Sequence, residues 1–118
     1  MIRRNLEHPE VQATRYLAHG GGIAHMILTT QHLKTLMFLA HASVPPGNRL
    51  LGHVDPMEEI YIIQKGRGQM QVGDEICEVG PGDAIHIPIG YYHELTNTGN
   101  EVLTLLVVAG LIPPSDGI

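Results

Sequence analysis

The sequence predicts an all-β protein, a sandwich or barrel of short strands, and three observations predict it. From Gly22 onward, short apolar runs rich in Val, Ile, Leu and Tyr alternate with Gly, Pro and Asn punctuation at roughly ten-residue spacing, the pattern of stacked antiparallel strands. No run of 12 or more residues shows a capped helical period. The 118 residues, 43% hydrophobic and 16% charged, suffice for one domain, 1–118, with its own core.

In chain order, residues 1–22 carry turn residues and no clear period, so the core is expected over about 24–110. Strands are expected near 24–30, 34–44, 59–64, 67–72, 75–79, 84–88, 91–97 and 101–109, where β-branched and aromatic residues suit a pleated surface. The segment 34–44 reads as apolar on both faces. Gly73-Asp74 forms a tight hairpin turn, and Gly80-Pro81-Gly82 and Pro88-Ile89-Gly90 form two further turns. The barrel interior is expected to be closed by 36–42, 60–63 and 102–108. The tail Pro113-Pro114-Ser115-Asp116-Gly117 is expected to be loose or packed on a neighbouring subunit.

Composition narrows the function. A net charge of −5 with scattered basic residues argues against nucleic acid as a partner. One cysteine, Cys77, permits no intramolecular disulfide and suits a reducing interior. The longest apolar run, near 102–112, is about 11 residues long and interrupted by Thr104 and Gly110, whereas a spanning helix needs about 20. The charged N-terminus is followed by no apolar stretch, so no signal peptide is expected and the protein is read as cytoplasmic, without a membrane partner. Neither Ser43 nor Ser115 sits in a nucleophile elbow, no Walker loop is present, and Gly66-Arg67-Gly68 lacks the third glycine of a dinucleotide fingerprint. His19-Gly20-Gly21-Gly22, which has the look of an oxyanion loop, is read as a flexible turn. Eight histidines outnumber the seven lysines and arginines, and histidine is the commonest metal ligand.

The histidines that carry chemistry stand in a frame. His53-Val54-Asp55-Pro56-Met57-Glu58-Glu59 brings imidazole nitrogen and carboxylate oxygen together, a mixture that suits a divalent transition metal. Residues two apart on a strand share a face, which puts His53 with Asp55. The wider frame is Gly47-x5-His53-x-Asp55-x3-Glu59-x6-Gly66, then 15 residues, then Gly82-x5-Pro88-x-Gly90-x2-His93-x3-Asn97. This resembles the two signature motifs of the cupin superfamily, G-x5-H-x-H-x3,4-E-x6-G and G-x5-P-x-G-x2-H-x3-N. Nine of the ten fixed positions match, over about residues 44–108; the departure is Asp55, where the family has a second histidine.

The resemblance implies a double-stranded β-helix, the cupin or jelly-roll-like barrel, with a metal inside. It carries the ligand roles to His53, Glu59 and His93 and gives Asp55 the fourth slot. Gly66, Gly82 and Gly90 fall at corners, and Asn97 reads as a turn-stabilising residue. Asp55 has two alternatives. As a fourth ligand it makes a two-histidine, two-carboxylate site that favours harder metals such as manganese or iron over copper. Otherwise His53, Glu59 and His93 form a 2-His-1-carboxylate set, and Asp55 stands behind it or serves as general base. The metal is divalent, with iron, manganese, zinc and nickel all open.

Catalytic candidates are Asp55, His86 and Tyr91. His86 could face the cavity or be structural, His41 could point inward, and Tyr91 shares the side of His93 if that stretch is extended. Tyr61 has the parity of Glu59 and can line the cavity, whereas Glu58 has the opposite parity. Arg49 and Arg67 are read as surface residues, and His8, His19 and His32 as solvated. The expected function is that of a small metal-binding cupin acting on a small oxygenated molecule, with dioxygenase-type chemistry as the first choice. The alternatives are a non-catalytic ligand- or metal-sensing module and an isomerase, lyase or decarboxylase. Small cupins that resemble this chain pair through sheet edges and swapped N-terminal strands, so a homodimer is expected.

Overall fold

The protein is described from a computed structural model covering residues 1–110. A single-turn helix, α1 (Pro9–Gln12), precedes ten strands: β1 (Tyr16–Ala18), β2 (Gly22–Leu28), β3 (Leu36–Val44), β4 (Arg49–Val54), β5 (Glu59–Lys65), β6 (Gly68–Val72), β7 (Glu75–Val79), β8 (Ala84–Ile87), β9 (Tyr92–Asn97) and β10 (Leu103–Gly110). They form two antiparallel sheets, ordered β1-β2-β3-β10-β5-β8 and β4-β9-β6-β7. The chain passes from one sheet to the other between β3 and β4, β4 and β5, β5 and β6, β7 and β8, β8 and β9, and β9 and β10, as the double-stranded β-helix requires.

The inward faces share one core. Ile63, Met70, Ile87, Leu95, Leu103 and Leu105 are fully buried and come from both sheets. In β10, Leu103, Leu105, Val107 and Ala109 face in, while Thr104, Leu106 and Val108 face out and are half-buried. The continuous apolar run is therefore divided by the two-residue period of a strand. The same division corrects the expectation for 34–44. Ala40, Ala42 and Val44 are buried, so His41 points away from the interior. There it lies directly across from His25 on β2, and burial together with His25 pushes its pKa below the usual imidazole value.

The turns explain most of the glycines. Gly73 and Asp74 close the β6–β7 hairpin, with Gly73 at φ +57°. Gly66, at φ +86°, is held by position as well as by conformation, because a Cβ there would lie 2.8 Å from Cα of Leu103. Asn97 is a buried tie. Its amide nitrogen donates to the carbonyls of Val44 and Glu101, each at 2.8 Å, and its side-chain oxygen accepts from Gly99 N–H at 2.9 Å. Asn97→Ala leaves those groups without partners. It is expected to cost about 2–3 kcal/mol and to lower the urea midpoint by about 1 M.

The sequence pattern missed α1, β1 and β4. The helix is one turn long and β1 has three residues, both too short for a period to register. In β4, Gly52 interrupts the apolar pattern of Arg49-Leu50-Leu51-Gly52-His53-Val54. The expected behaviour of the tail 113–117 lies outside the described residues.

Candidate metal centre

Three strands and one connection meet at one end of the barrel interior. His53 is on β4 and pairs directly with His93 on β9. Glu59 opens β5, and Asp55 sits in the connection leading to it. The register of β4 shifts between Leu50 and His53, an irregularity of the kind that re-aims a side chain. Gly52 allows it. A Cβ at Gly52 would overlap the Tyr92 hydroxyl at 1.8 Å, and its N–H donates to Glu94 Oε2 at 3.1 Å.

Each imidazole is fixed by a backbone carbonyl. His53 Nδ1 lies 2.8 Å from the Leu51 carbonyl, and His93 Nδ1 lies 3.0 Å from that of Tyr91. A carbonyl only accepts, so both Nδ1 atoms carry the proton and both Nε2 atoms present their lone pair to the cluster when neutral. There His53 Nε2 is 3.1 Å from Asp55 Oδ2, and His93 Nε2 is 3.4 Å from Glu59 Oε1 and 3.7 Å from Asp55 Oδ2. One ligand atom from each of the four residues lies within 4.8 Å of the other three. Ligands about 2.0–2.2 Å from one ion stand roughly 3.0–3.6 Å apart at right-angled to tetrahedral geometry. Glu59 Oε1 and His93 Nε2 are buried and have no hydrogen-bond partner. Buried polar atoms are as a rule paired; His25 Nε2 is also unpartnered but stands alone, whereas these two converge on one point and fit a cation between them. The donor set of two nitrogens and two carboxylates, which would balance a 2+ charge, fits a divalent transition metal.

The electrostatics follow from crowding. Burial raises the pKa of Glu59, and neighbouring Asp55 raises it further against the pull of His93. Burial alone would also raise Asp55, but a hydrogen bond with Glu59 and the imidazoles of His53, His93 and His19 outweigh it and hold that carboxyl below the usual range. For His93, burial favours the neutral ring, yet Glu59, the Tyr91 carbonyl and Asp55 together raise its pKa.

A cavity of about 190 Å³ opens on the cluster. Its polar end holds Asp55, Glu59, His19, Tyr16 and Tyr61; its walls are apolar, with Ala24, Met26, Phe38, Ala40, Ala42 and Val107. Tyr61 lines it, in keeping with the parity it shares with Glu59, and burial with Glu59 and Asp55 nearby keeps its phenol firmly protonated.

The structure brings together His53, Asp55, Glu59 and His93, but neither His86 nor Tyr91. His86 lies on the outer side of β8, exposed, with Nε2 2.6 Å from Glu58 Oε2. Tyr91 precedes β9 in a turn, its N–H donating to the Pro88 carbonyl, so strand parity does not apply; its ring is exposed and lies beside Gly73. Only its carbonyl serves the site, through His93. Arg49 is exposed, 4.0 Å from Glu94.

His19 is the site residue that sequence reasoning missed. Its ring stacks on that of His53, with centroids 3.5 Å apart and planes at 10°. The loop that carries it is a pinned turn, which corrects the expectation of a flexible one. The His19 carbonyl accepts from Leu51 N–H at 3.0 Å, and Gly21 N–H donates to Ala18 at 3.2 Å. His19 and Gly20 take φ +44° and +75°, and Gly21 lies flat against the Arg49 backbone. The glycine run after His19 is the sequence signal of that close approach.

Among the described residues no helix is long and apolar enough to cross a membrane. A family model described as a cupin domain matches residues 40–109. An uncharacterized protein of Methanocaldococcus jannaschii is 39% identical over 93 residues, spanning 77% of this chain and 74% of its own. A predicted oxalate decarboxylase from Thermotoga maritima superposes with a TM-score of 0.73 at 28% identity, over 82% of this chain and 90% of that one. The corresponding values for a polyketide cyclase from Streptomyces resistomycificus are 0.68, 25%, 80% and 69%. A Cupin 2 conserved barrel domain protein from Salinispora arenicola gives a TM-score of 0.76 at 21% identity, over 94% and 89%, a likeness of fold alone. Both motifs, the barrel and the match over more than half of the sequence agree: the chain belongs to the cupin family.

Proposed function

We propose that this chain is a metal-dependent cupin enzyme that acts on a small oxygenated molecule in the cavity beside the four-residue cluster, with His53, Asp55, Glu59 and His93 as the ligands. The observation that carries the reading is the pair of buried, unpartnered atoms, Glu59 Oε1 and His93 Nε2, facing each other beside Asp55 and His53. A divalent ion there would supply Lewis acidity toward a substrate oxygen. The protein's own part is to bind and orient. Two carbonyls hold the imidazoles in one tautomer, the apolar walls exclude water, and the protonated Tyr61 and Tyr16 phenols offer hydrogen bonds at the polar end. Dioxygenase-type chemistry is the first assay. The likeness to a predicted oxalate decarboxylase and a polyketide cyclase supports a non-redox lyase or isomerase as the second. Turnover of candidate acids and enols by metal-loaded protein, with and without oxygen, tests the reading. Equal inertness of loaded and metal-free protein across such a panel would sink it.

The same ligand set fixes a pH dependence. Glu59 and His93 both hold their protons above their ordinary pKa values, and both must shed them to bind an ion. Acid therefore competes with metal. Because the His93 value is raised above 6.5, competition begins in the neutral range and deepens on acidification. Apparent affinity for Zn²⁺ should fall between pH 7.5 and 5.5 by about tenfold per pH unit for each proton displaced. Chelator-competition titrations read this directly, and a flat profile would exclude His93 as a ligand. The expected homodimer belongs to the same proposal. Leu106 and Val108 on the outer face of β10, with exposed Ile60 beside them, support a second copy there, and sedimentation measures it.

A further inference from the structure

The cavity walls and the charge inside them say which molecules fit, and this inference rests on the metal reading above. The space is about 190 Å³, somewhat more than the ~150 Å³ of an apolar cavity that accepts benzene. It is small beside the roughly 300–1,000 Å³ of sites that take drug-sized ligands. Six apolar side chains from β2, β3 and β10 line it, and its polar lining residues are Tyr16, His19, Asp55, Glu59 and Tyr61. No lysine or arginine is among the described residues that line it. Asp55 and Glu59 bring two negative charges, which a divalent ion only cancels. A ligand with one negative oxygen head leaves the loaded site at −1, held by the ion itself. A dianion whose second carboxylate extends away from the ion leaves it at −2, with that charge among alanine, methionine and phenylalanine and only neutral phenols, Tyr16 and Tyr61, as nearby donors. An unpaired charge in such surroundings is strongly disfavoured.

We infer that the cavity selects a molecule with a single metal-facing oxygen head, such as a monocarboxylate or phenolate, on a compact carbon body of about one ring, and rejects dicarboxylates whose second carboxylate would extend along the apolar walls. The carbon body lies on Ala40, Ala42, Met26 and Phe38, and the head points toward Asp55 and Glu59.

The test uses the full chain loaded with Zn²⁺, its metal content measured before and after calorimetric titration with benzoate, 4-ethylbenzoate and terephthalate. Terephthalate and 4-ethylbenzoate are similar in length and differ in charge. Benzoate and 4-ethylbenzoate are expected to bind at least tenfold more tightly than terephthalate. Ala42→Leu, which fills the cavity, should weaken benzoate at least tenfold with the metal content unchanged. Phe38→Ala, which widens it, should admit 2-naphthoate. No benzoate binding to loaded protein, terephthalate binding as tight as benzoate, or benzoate binding unaffected by Ala42→Leu would each overturn the inference while leaving the metal centre standing. Failure of the wild-type chain to take up metal would overturn the metal reading and this inference with it.

Discussion

His93→Ala should remove the metal. Wild-type protein from metal-replete medium is expected to carry about one divalent ion per chain by elemental analysis, and the variant less than a tenth of that. His93 is fully buried on β9, directly across the ladder from His53. Loss of partners that merely orient ligands costs about 10–100-fold in affinity, and loss of a ligand should exceed that. Ion present at a hundred times its dissociation constant stabilises the folded chain by about 2.7 kcal/mol. The wild type should therefore melt on the order of 10 °C higher with metal than without, and the variant should show almost no difference. Glu59→Gln separates ligation from packing. It removes one of two crowded carboxylates and keeps the shape, so the metal-free variant should be at least as stable as metal-free wild type while gaining nothing from added ion. If both variants retain full metal, the cluster is not the site. Asp55→Ala decides the remaining alternative, since unchanged metal content would place Asp55 outside the ligand set.

Gly21→Ala should be the most damaging single methyl group in the chain. Its Cβ would fall 1.8 Å from the Arg49 carbonyl oxygen and 2.8 Å from the carbonyl carbon. Both are backbone atoms of a paired strand, so neither can give way cheaply. The β1–β2 turn must lift off β4, which breaks the bond from Leu51 N–H to His19 and withdraws the imidazole from its stack on His53. Overpacking of this kind costs about 3 kcal/mol or more, a fall in melting temperature of roughly 10 °C. Gly47→Ala is the control. Gly47 has φ +82° but open space around the missing Cβ, so only backbone strain of about 1–2 kcal/mol applies. Equal losses in the two variants would mean that the contact with Arg49 is not what holds the loop.

Both variants bear on what could be read in advance. The convergence of His53, Glu59 and His93 was legible through the resemblance of their two spaced motifs to the cupin signatures. Turns such as Gly82 and Gly90, at φ +92° and +79°, need glycine wherever they occur, and the residues between them count out strand lengths. The same counting misled at Tyr91, where the chain is still turning and a two-residue parity does not hold. It misled at His41 too, because an apolar run does not say which of its faces looks inward. His86 had apolar neighbours, but its strand lies at a sheet edge, and its ring turns outward to Glu58.

The sequence by itself determined the fold class, the positions of the corners and three of the four side chains that converge, together with the presence of a carboxylate in the fourth slot. Local backbone preference is enough for the fold class and the corners, and the resemblance to the cupin motifs supplied the converging residues. Only the tertiary structure decided that His19 roofs His53, that the described residues lining the cavity include an apolar wall and no lysine or arginine, and that Glu59 and His93 are left facing each other without partners. Each of these depends on segments about 30 or more residues apart coming to within a few ångströms, and no local pattern of residues encodes that distance.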